Sequence, residues 1–305
     1  MFDTQLKANK IMEQEESQYL DLIRDILACG SLETSRSGVV KTLFGRSMRF
    51  SLRNGQLPLL TSKKVAWKTC FRELQWFIHG STDNHELRKN GVHIWDDNSS
   101  REFLDNRGLQ CRKEGDLGPI YGFQWRHYDA SYVDCNTDYT GQGVDQLAGI
   151  IRELCDPVGR SSRRLIMTAW NPKQIDEMAL PPCHILAQFN VREGKYLSCA
   201  LYQRSCDVGL GVPFNIASYS FLTHILAKHC GLEAEEFVYF LGNCHIYENH
   251  IEALTQQIDA NRTTYPFPKI NITKKYDDIS KYSIQDIEWI EPYICNKTIK
   301  MKMAV

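Results

Sequence analysis

The chain has 305 residues, 43% of them hydrophobic and 24% charged, ordinary proportions for a soluble globular protein long enough to bury a large core. Basic side chains number 36 against 37 acidic ones for a formal net charge of -1, which excludes a global field that recruits nucleic acid or an anionic membrane. Eleven cysteines without a C-x-x-C pair argue against a disulfide framework and, with no apolar leader after Met1-Phe2-Asp3, for a reducing cytoplasmic or nuclear setting. No repeat, low-complexity tract or linker interrupts the sequence. A single domain over residues 1–305 is therefore expected, with 1–15 a poorly ordered extension.

Glu16 to Ala28 reads as an amphipathic helix, with Tyr19, Leu22, Ile23, Ile26 and Leu27 on one face and Gly30 as a stop. The loop Thr34-Ser35-Arg36-Ser37-Gly38 sets an arginine among small hydrogen-bonding residues; it is a solvated charge or an anion contact. Strand-like sequence follows from Thr42 to Leu52. Ala66 to Ile78 has a helical pattern that is apolar almost all round, yet Glu73 lies inside it. A carboxylate there is either paired with a cation or has a raised pKa, the condition for acid/base work near neutrality.

Val92 to Asp96 is a short apolar run in which Trp95 reads as core. Gly115 to Gly122 is glycine-rich but lacks a Walker lysine and the G-x-G-x-x-G order, so it is no nucleotide loop of those kinds; Tyr121 is its reactive candidate. Arg163-Arg164 precedes a strand from Leu165 to Trp170. On an extended segment the two side chains diverge, so they cannot serve one site in the same way.

Pro181-Pro182 places Cys183 on a stiff corner, because two prolines fix φ and remove two backbone donors. Ile185 to Val191 and Tyr196 to Tyr202 alternate as two strands joined around Glu193-Gly194, a hairpin that returns Arg204 to Cys183. A thiolate is favoured by such a cation, whereas a buried Cys is otherwise inert. Asn215 to Lys228 reads as a long helix that Asn215 caps. In Gly242 to Tyr247 the strand period sends His245 and Tyr247 to one face. Neither H-E-x-x-H nor a C-x-x-C companion accompanies them or His250, so no metal is expected.

Taken together, Leu43-Phe44-Gly45, Pro58 to Thr61, Glu73 to Phe77, Gly115 to Trp125, Arg163-Arg164, Leu180 to His184 and Tyr202 to Tyr219 resemble the thymidylate synthase family, from about Tyr19 to Val305. Ser99 to Glu114 and Tyr132 to Gly143 are similar to its longer eukaryotic or viral, monofunctional form. The resemblance implies an α+β fold with a large mixed sheet flanked by helices, and an obligate homodimer whose sheets pack face to face. It implies that deoxyuridine monophosphate (dUMP) is methylated to the thymidine nucleotide, with methylenetetrahydrofolate as carbon donor and reductant, giving dihydrofolate.

By the same resemblance Cys183 adds to uracil C6, Glu73 handles proton transfers and Tyr121 helps remove the C5 proton, with Arg204 and Asn215 also in the catalytic set. Arg36, Arg204 and Ser205 hold the phosphate, joined by Arg163 and Arg164 of the second subunit, which answers the divergence noted above. Asn215 pairs with uracil N3 and O4, His245 and Tyr247 meet the ribose, and Asp207 serves both ligands through its pterin contact. Ile94, Trp95, Asn98, Leu210, Gly211 and Phe214 line the folate pocket, and Met303-Ala304-Val305 closes over it. The related deoxycytidylate hydroxymethylases carry Asp where this chain has Asn215. The chain departs from the family pattern at Val39-Val40, Lys64, Asn243-Cys244 and Cys295-Asn296-Lys297. Two rival classes are a non-catalytic RNA-binding paralogue, opposed by the intact site residues and the lack of a basic surplus, and a Cys183-His184 hydrolase, opposed by the divergence of sequence neighbours.

Overall fold

The computed structural model describes residues 15–35, 38–259 and 261–303. The first helix, α1 (Ser17–Cys29), buries Tyr19, Leu22, Ile23 and Ile26 as its periodicity requires. It begins one residue later than expected because Glu16 is spent elsewhere. That carboxylate, 5% exposed, accepts the backbone N–H of Thr61 (2.8 Å), the Thr61 hydroxyl (2.6 Å) and the N–H of Ser62 (2.8 Å).

Strands β1 (Ser31–Ser35) and β2 (Gly38–Ser51) form an antiparallel hairpin with Ser35 opposite Gly38. Thr34, Ser35 and Gly38, expected as loop, are thus strand ends, and the hairpin tip at 36–37 lies outside the described residues. Helix α2 (Trp67–Ile78) buries Glu73 with Phe71, Leu74, Trp76, Phe77 and Ile78. The short helices α3 (Asn84–Lys89) and α4 (Arg101–Asn106) are capped by Asp83 and Ser100, whose side chains accept N–H groups of the first turn. Tyr121 is the first residue of α5 (Tyr121–His127), so the glycine-rich run ends as a helix start. Next come α6 (Gln146–Cys155) and a short β3 (Ile166–Thr168), half the strand expected. Arg163 and Arg164 lie in the exposed turn before it, not on extended backbone, which corrects the divergence argument.

The expected hairpin is formed by β4 (His184–Arg192) and β5 (Tyr196–Asp207). Its turn residues Glu193 (φ 55°) and Gly194 (φ 63°) are both left-handed, the twist that matches two right-twisted strands. Helix α7 (Gly211–Cys230) carries the chain from the end of β5 to the start of β6 (Glu233–Tyr247), which therefore pairs parallel to β5. It is buried on almost every side, against β5, β6 and α2. Asn215 stands inside its first two turns and Leu210 is the N-cap, so the expectation that Asn215 caps the helix is overturned. Beyond α8 (Ile251–Gln257), β7 (Lys269–Ile272) and β8 (Ile287–Glu291) make a separate two-stranded ribbon.

The main sheet has the order β1-β2-β6-β5-β4-β3, with the β5-β6 pair parallel and the other pairs antiparallel. Helices cover one face, and one large apolar cluster runs beneath them through the described chain. On the other face the register aligns Ile166, Gln188, Ala200 and Val238 in one row and Leu186, Tyr202 and Phe240 in the next. Ile166, Tyr202 and Phe240 are 42%, 39% and 47% exposed, a contiguous apolar surface with no cover.

The Glu16 carboxylate accepts the buried backbone N–H groups of Thr61 and Ser62, so its removal leaves them unmet. Glu16→Ala should lower unfolding stability by about 3 kcal/mol in urea denaturation, and a loss under about 1 kcal/mol would show that water replaces the carboxylate.

Candidate active site

Cys183 stands at the corner where the chain enters β4. Its N–H donates to the Tyr121 hydroxyl (2.7 Å), its carbonyl accepts the N–H of Arg204 (2.9 Å), and its thiol is hydrogen-bonded by Ser205. Arg204 does more than the sequence reading assigned to it. Nε donates to the Pro182 carbonyl (2.8 Å) and Nη2 to that of Pro181 (2.9 Å), while the guanidinium lies 5.3 Å over the Trp170 ring. The arginine is thus the clamp of the proline corner as well as its charge.

The balance at the thiol differs from a simple cation effect. Burial pushes the Cys183 pKa up and outweighs the downward pulls of Arg204, Tyr121 and Ser205. His184 does not assist. Its ring stacks on Tyr121 (centroids 4.2 Å apart, 24° between planes), its Nδ1 meets the Tyr219 hydroxyl at 2.8 Å, and burial drives its pKa down to about 3. A neutral imidazole held on the opposite side of the corner overturns the Cys-His hydrolase reading.

Glu73 is fully enclosed, and burial raises its pKa to about 7 against the pull of Trp95, whose indole N–H donates to Oε1 at 2.7 Å. Among the described residues no cation pairs with it. Trp95 is buried, as expected for core, but it also orients the carboxylate. Trp95 and Phe77 pack against Tyr121 at 5.9 and 4.9 Å, and burial holds the phenol pKa well above its usual value. A single aromatic wall therefore links α2, the Trp95 turn and α5 to the cysteine corner.

From the other side β5 and β6 deliver polar groups in register: Ser205 opposite Asn243 and Asp207 opposite His245. Asp207 Oδ1 accepts the N–H groups of Gly209 (2.9 Å) and Leu210 (3.3 Å), which fixes the loop into α7. Asn215, on the first turns of α7, is half-buried and its amide has no hydrogen bond among the described residues. His245 meets Asn243 Oδ1 through Nδ1 at 3.1 Å, and burial lowers its pKa; Tyr247 packs edge-on to it at 5.2 Å. Because the amide oxygen accepts, Nδ1 carries the hydrogen and Nε2 stays free to accept. Asn243, one of the departures, thus sets a tautomer. Cys244 is buried beside it and Val39 is partly exposed.

Ile94, Leu210, Gly211 and Phe214 are half-buried around the loop, and Asn98 is buried. Arg163 and Arg164 are exposed, away from the cysteine corner of their own chain in sequence and fold. Arg36, Ala304 and Val305 lie outside the described residues. The departure at Cys295-Asn296 is structural: Asn296 donates its backbone N–H and its amide to the Thr61 carbonyl at 2.8 and 2.9 Å.

Sequence reasoning missed Lys63, Trp170 and Tyr219 as supports. Lys63 Nζ donates to the Gly209 carbonyl at 2.5 Å from a buried position, and burial brings its pKa down to about 8. Only the buried lysine in an apolar run signalled it. Among the described residues no cluster of three His, Cys, Asp or Glu side chains is arranged to hold a metal ion.

The family model for thymidylate synthase matches residues 17–305. A thymidylate synthase of equine herpesvirus 2 is 52% identical over 291 residues, covering 95% of this chain and 98% of the relative. The human thymidylate synthase is 51% identical over 291 residues, covering 95% and 91%. A probable thymidylate synthase of Schizosaccharomyces pombe is 54% identical over 304 residues, and this chain spans 48% of that relative's length.

Since burial lifts Glu73 from 4.5 to about 7, the folded chain binds that proton more tightly than the unfolded one. The stability involved is complete below the unfolded value and is lost as pH rises through the folded one. Glu73→Gln removes this dependence. Relative to the parent chain it should gain about 2 kcal/mol in urea denaturation between roughly pH 5.5 and pH 8. A difference that does not change with pH would mean that Glu73 does not titrate in this range.

Proposed function

The chain belongs to the thymidylate synthase family, and on that premise we propose the reaction and the division of labour that follow. It methylates dUMP reductively to the thymidine nucleotide. Methylenetetrahydrofolate supplies both the one-carbon unit and the reducing hydride. The observation that carries the proposal is the Cys183 corner itself, clamped by Arg204 and bound through its N–H to Tyr121, whose aromatic wall with Trp95 and Phe77 encloses a Glu73 carboxyl poised near neutrality.

Uracil C5 is a poor nucleophile until C6 is attacked. The Cys183 sulfur forms the bond to C6, and the ring electrons move toward C5 and O4, which makes an enolate. Asn215 donates to O4 and accepts from N3–H, a pattern that a cytosine ring reverses. Its lack of a protein partner leaves both amide atoms for the base. Glu73, near half-ionised at neutral pH, gives or takes a proton at this edge of the ring, and Tyr121, already on the Cys183 N–H, serves the C5 proton. A thiol whose pKa burial has raised needs added positive charge. Arg204 supplies it, with Arg36 and with Arg163 and Arg164 of a second copy around the nucleotide phosphate.

The residues near Asp207 fit a reduced folate. Its Oδ1 is spent on Gly209 and Leu210, while Oδ2 has no hydrogen bond among the described residues and suits the N–H groups of a pterin. The half-buried Ile94, Leu210 and Phe214 suit its flat ring. His245 Nε2 and Tyr247 hold the ribose.

The uncovered rows of Ile166, Tyr202 and Phe240 support a homodimer packed sheet to sheet, the arrangement that takes Arg163 and Arg164 to the neighbouring site. Among the described residues no helix is long and apolar enough to cross a membrane. The cytoplasm is the setting that keeps Cys183 reduced.

Purified chain given methylenetetrahydrofolate should release dihydrofolate, followed by absorbance, with dUMP and not with deoxycytidine monophosphate. Cys183→Ala should abolish turnover and leave dUMP binding measurable; retained turnover rules out the covalent route. Phe240→Asp with Tyr202→Asp should convert a dimer to a monomer in sedimentation and remove turnover with it. A dimer that persists would place the interface elsewhere.

A further inference from the structure

We infer that His250 is a positioning residue that anchors the C-terminal segment to the folate side of the site, an inference that rests on the functional reading above. His250 follows β6 on the short helical turn Glu248–His250, and its ring is 0% exposed. Nε2 lies 2.6 Å from the backbone carbonyl of Lys302, 52 residues further on. A carbonyl only accepts, so Nε2 carries the hydrogen. Nδ1 is buried with no hydrogen-bond partner among the described residues, 3.9 Å from Asp207 Oδ1, the oxygen that holds Gly209 and Leu210.

The same ring closes the space around the loop into α7. A Cβ on Gly209 would stand 2.7 Å from His250 Nδ1, 3.1 Å from the Met301 sulfur and 3.3 Å from Asp207 Oδ1. Glycine at this position thus lets the loop, the imidazole and the C-terminal segment meet. Tyr247 packs edge-on to the ring at 5.5 Å and 77°. His250 is therefore placed against the end of β6, the Asp207 loop and the segment at 301–302 together. A buried imidazole with a single bond is costly to keep for packing alone, since an apolar side chain fills such a space without an unmet nitrogen. The bond it does make sets the register of the C-terminal segment on the Asp207 loop, so the loss of that bond should fall on folate before it falls on dUMP.

The full-length chain is compared with His250→Leu, which removes the donor, and His250→Gln, whose amide N–H can reach the same carbonyl. The readouts are KM for methylenetetrahydrofolate, Kd for dUMP, and release of C-terminal residues by carboxypeptidase. The leucine variant should raise the folate KM roughly tenfold, hold the dUMP Kd within about twofold and release the C-terminus faster, with glutamine restoring all three toward the parent. Unchanged folate KM and release in the leucine variant overturn the inference. So does a parallel loss of both ligands in the two variants, the mark of general packing. If the parent chain shows no turnover, the functional reading fails, and carboxypeptidase release still decides whether His250 is the anchor.

Discussion

Two consecutive prolines leave a chain with two carbonyls and no N–H to answer them, and the structure meets that demand with one guanidinium. Arg204 spans Pro181 and Pro182 with a planar fork, which lysine cannot reproduce. Its own backbone N–H then holds the Cys183 carbonyl. The position of the thiol thus depends on the register of β5 against β4, which the Glu193-Gly194 turn sets as far as Leu186 and a bulge between His184 and Leu186 shifts before the corner. The other groups of the site are placed relative to this corner. Tyr121 finds the Cys183 N–H, Tyr121 in turn fixes the aromatic wall, and the wall encloses Glu73.

The second constraint is the parallel pair. Parallel strands need a long crossover, and α7 supplies it while crossing the loop that Asp207 holds. One connection therefore sets Ser205 and Asp207 beside Asn243 and His245. The helix is apolar nearly all round because it lies between the sheet and α2. Its buried Ser220 and Thr223 hydroxyls donate to the Ile216 and Tyr219 carbonyls, whereas half-buried Asn215 has no hydrogen bond among the described residues. Lys63 then holds the loop through the Gly209 carbonyl, with His250 packed beside it.

The elements legible in the sequence were those governed by a local rule. Tyr19 to Ile26 followed a helical period, the β4-β5 hairpin followed alternation around a positive-φ turn, and the buried Glu73 was visible as one charge among aromatics. Where a distant partner decided, the reading went astray. Asn215 has a capping side chain, but the helix extends back to Gly211 because Asp207 fixes the preceding loop by tertiary contact. Thr34 and Ser35 look like loop residues, yet β2 gives them a strand to pair with. Arg163 and Arg164 read as extended backbone leading into a strand from Leu165 to Trp170, but they form a turn, and sheet pairing shortens that strand to three residues. The roles of Arg204 at the prolines and of Lys63 at Gly209 were beyond local reading, since each bond joins segments far apart in the chain. Family resemblance supplied residue roles that periodicity and spacing left open.

The electrostatics of the site follow from how dry it is. Burial pushes Glu73 up to about 7, Cys183 and Tyr121 up, and His184 down to about 3, each toward its neutral form. The Arg204 guanidinium is thus a fixed charge at the corner, and its remaining Nη1 has no hydrogen bond among the described residues. Burial outweighs the pull of Arg204 on the Cys183 thiol, so ionising that thiol takes positive charge beyond the one guanidinium.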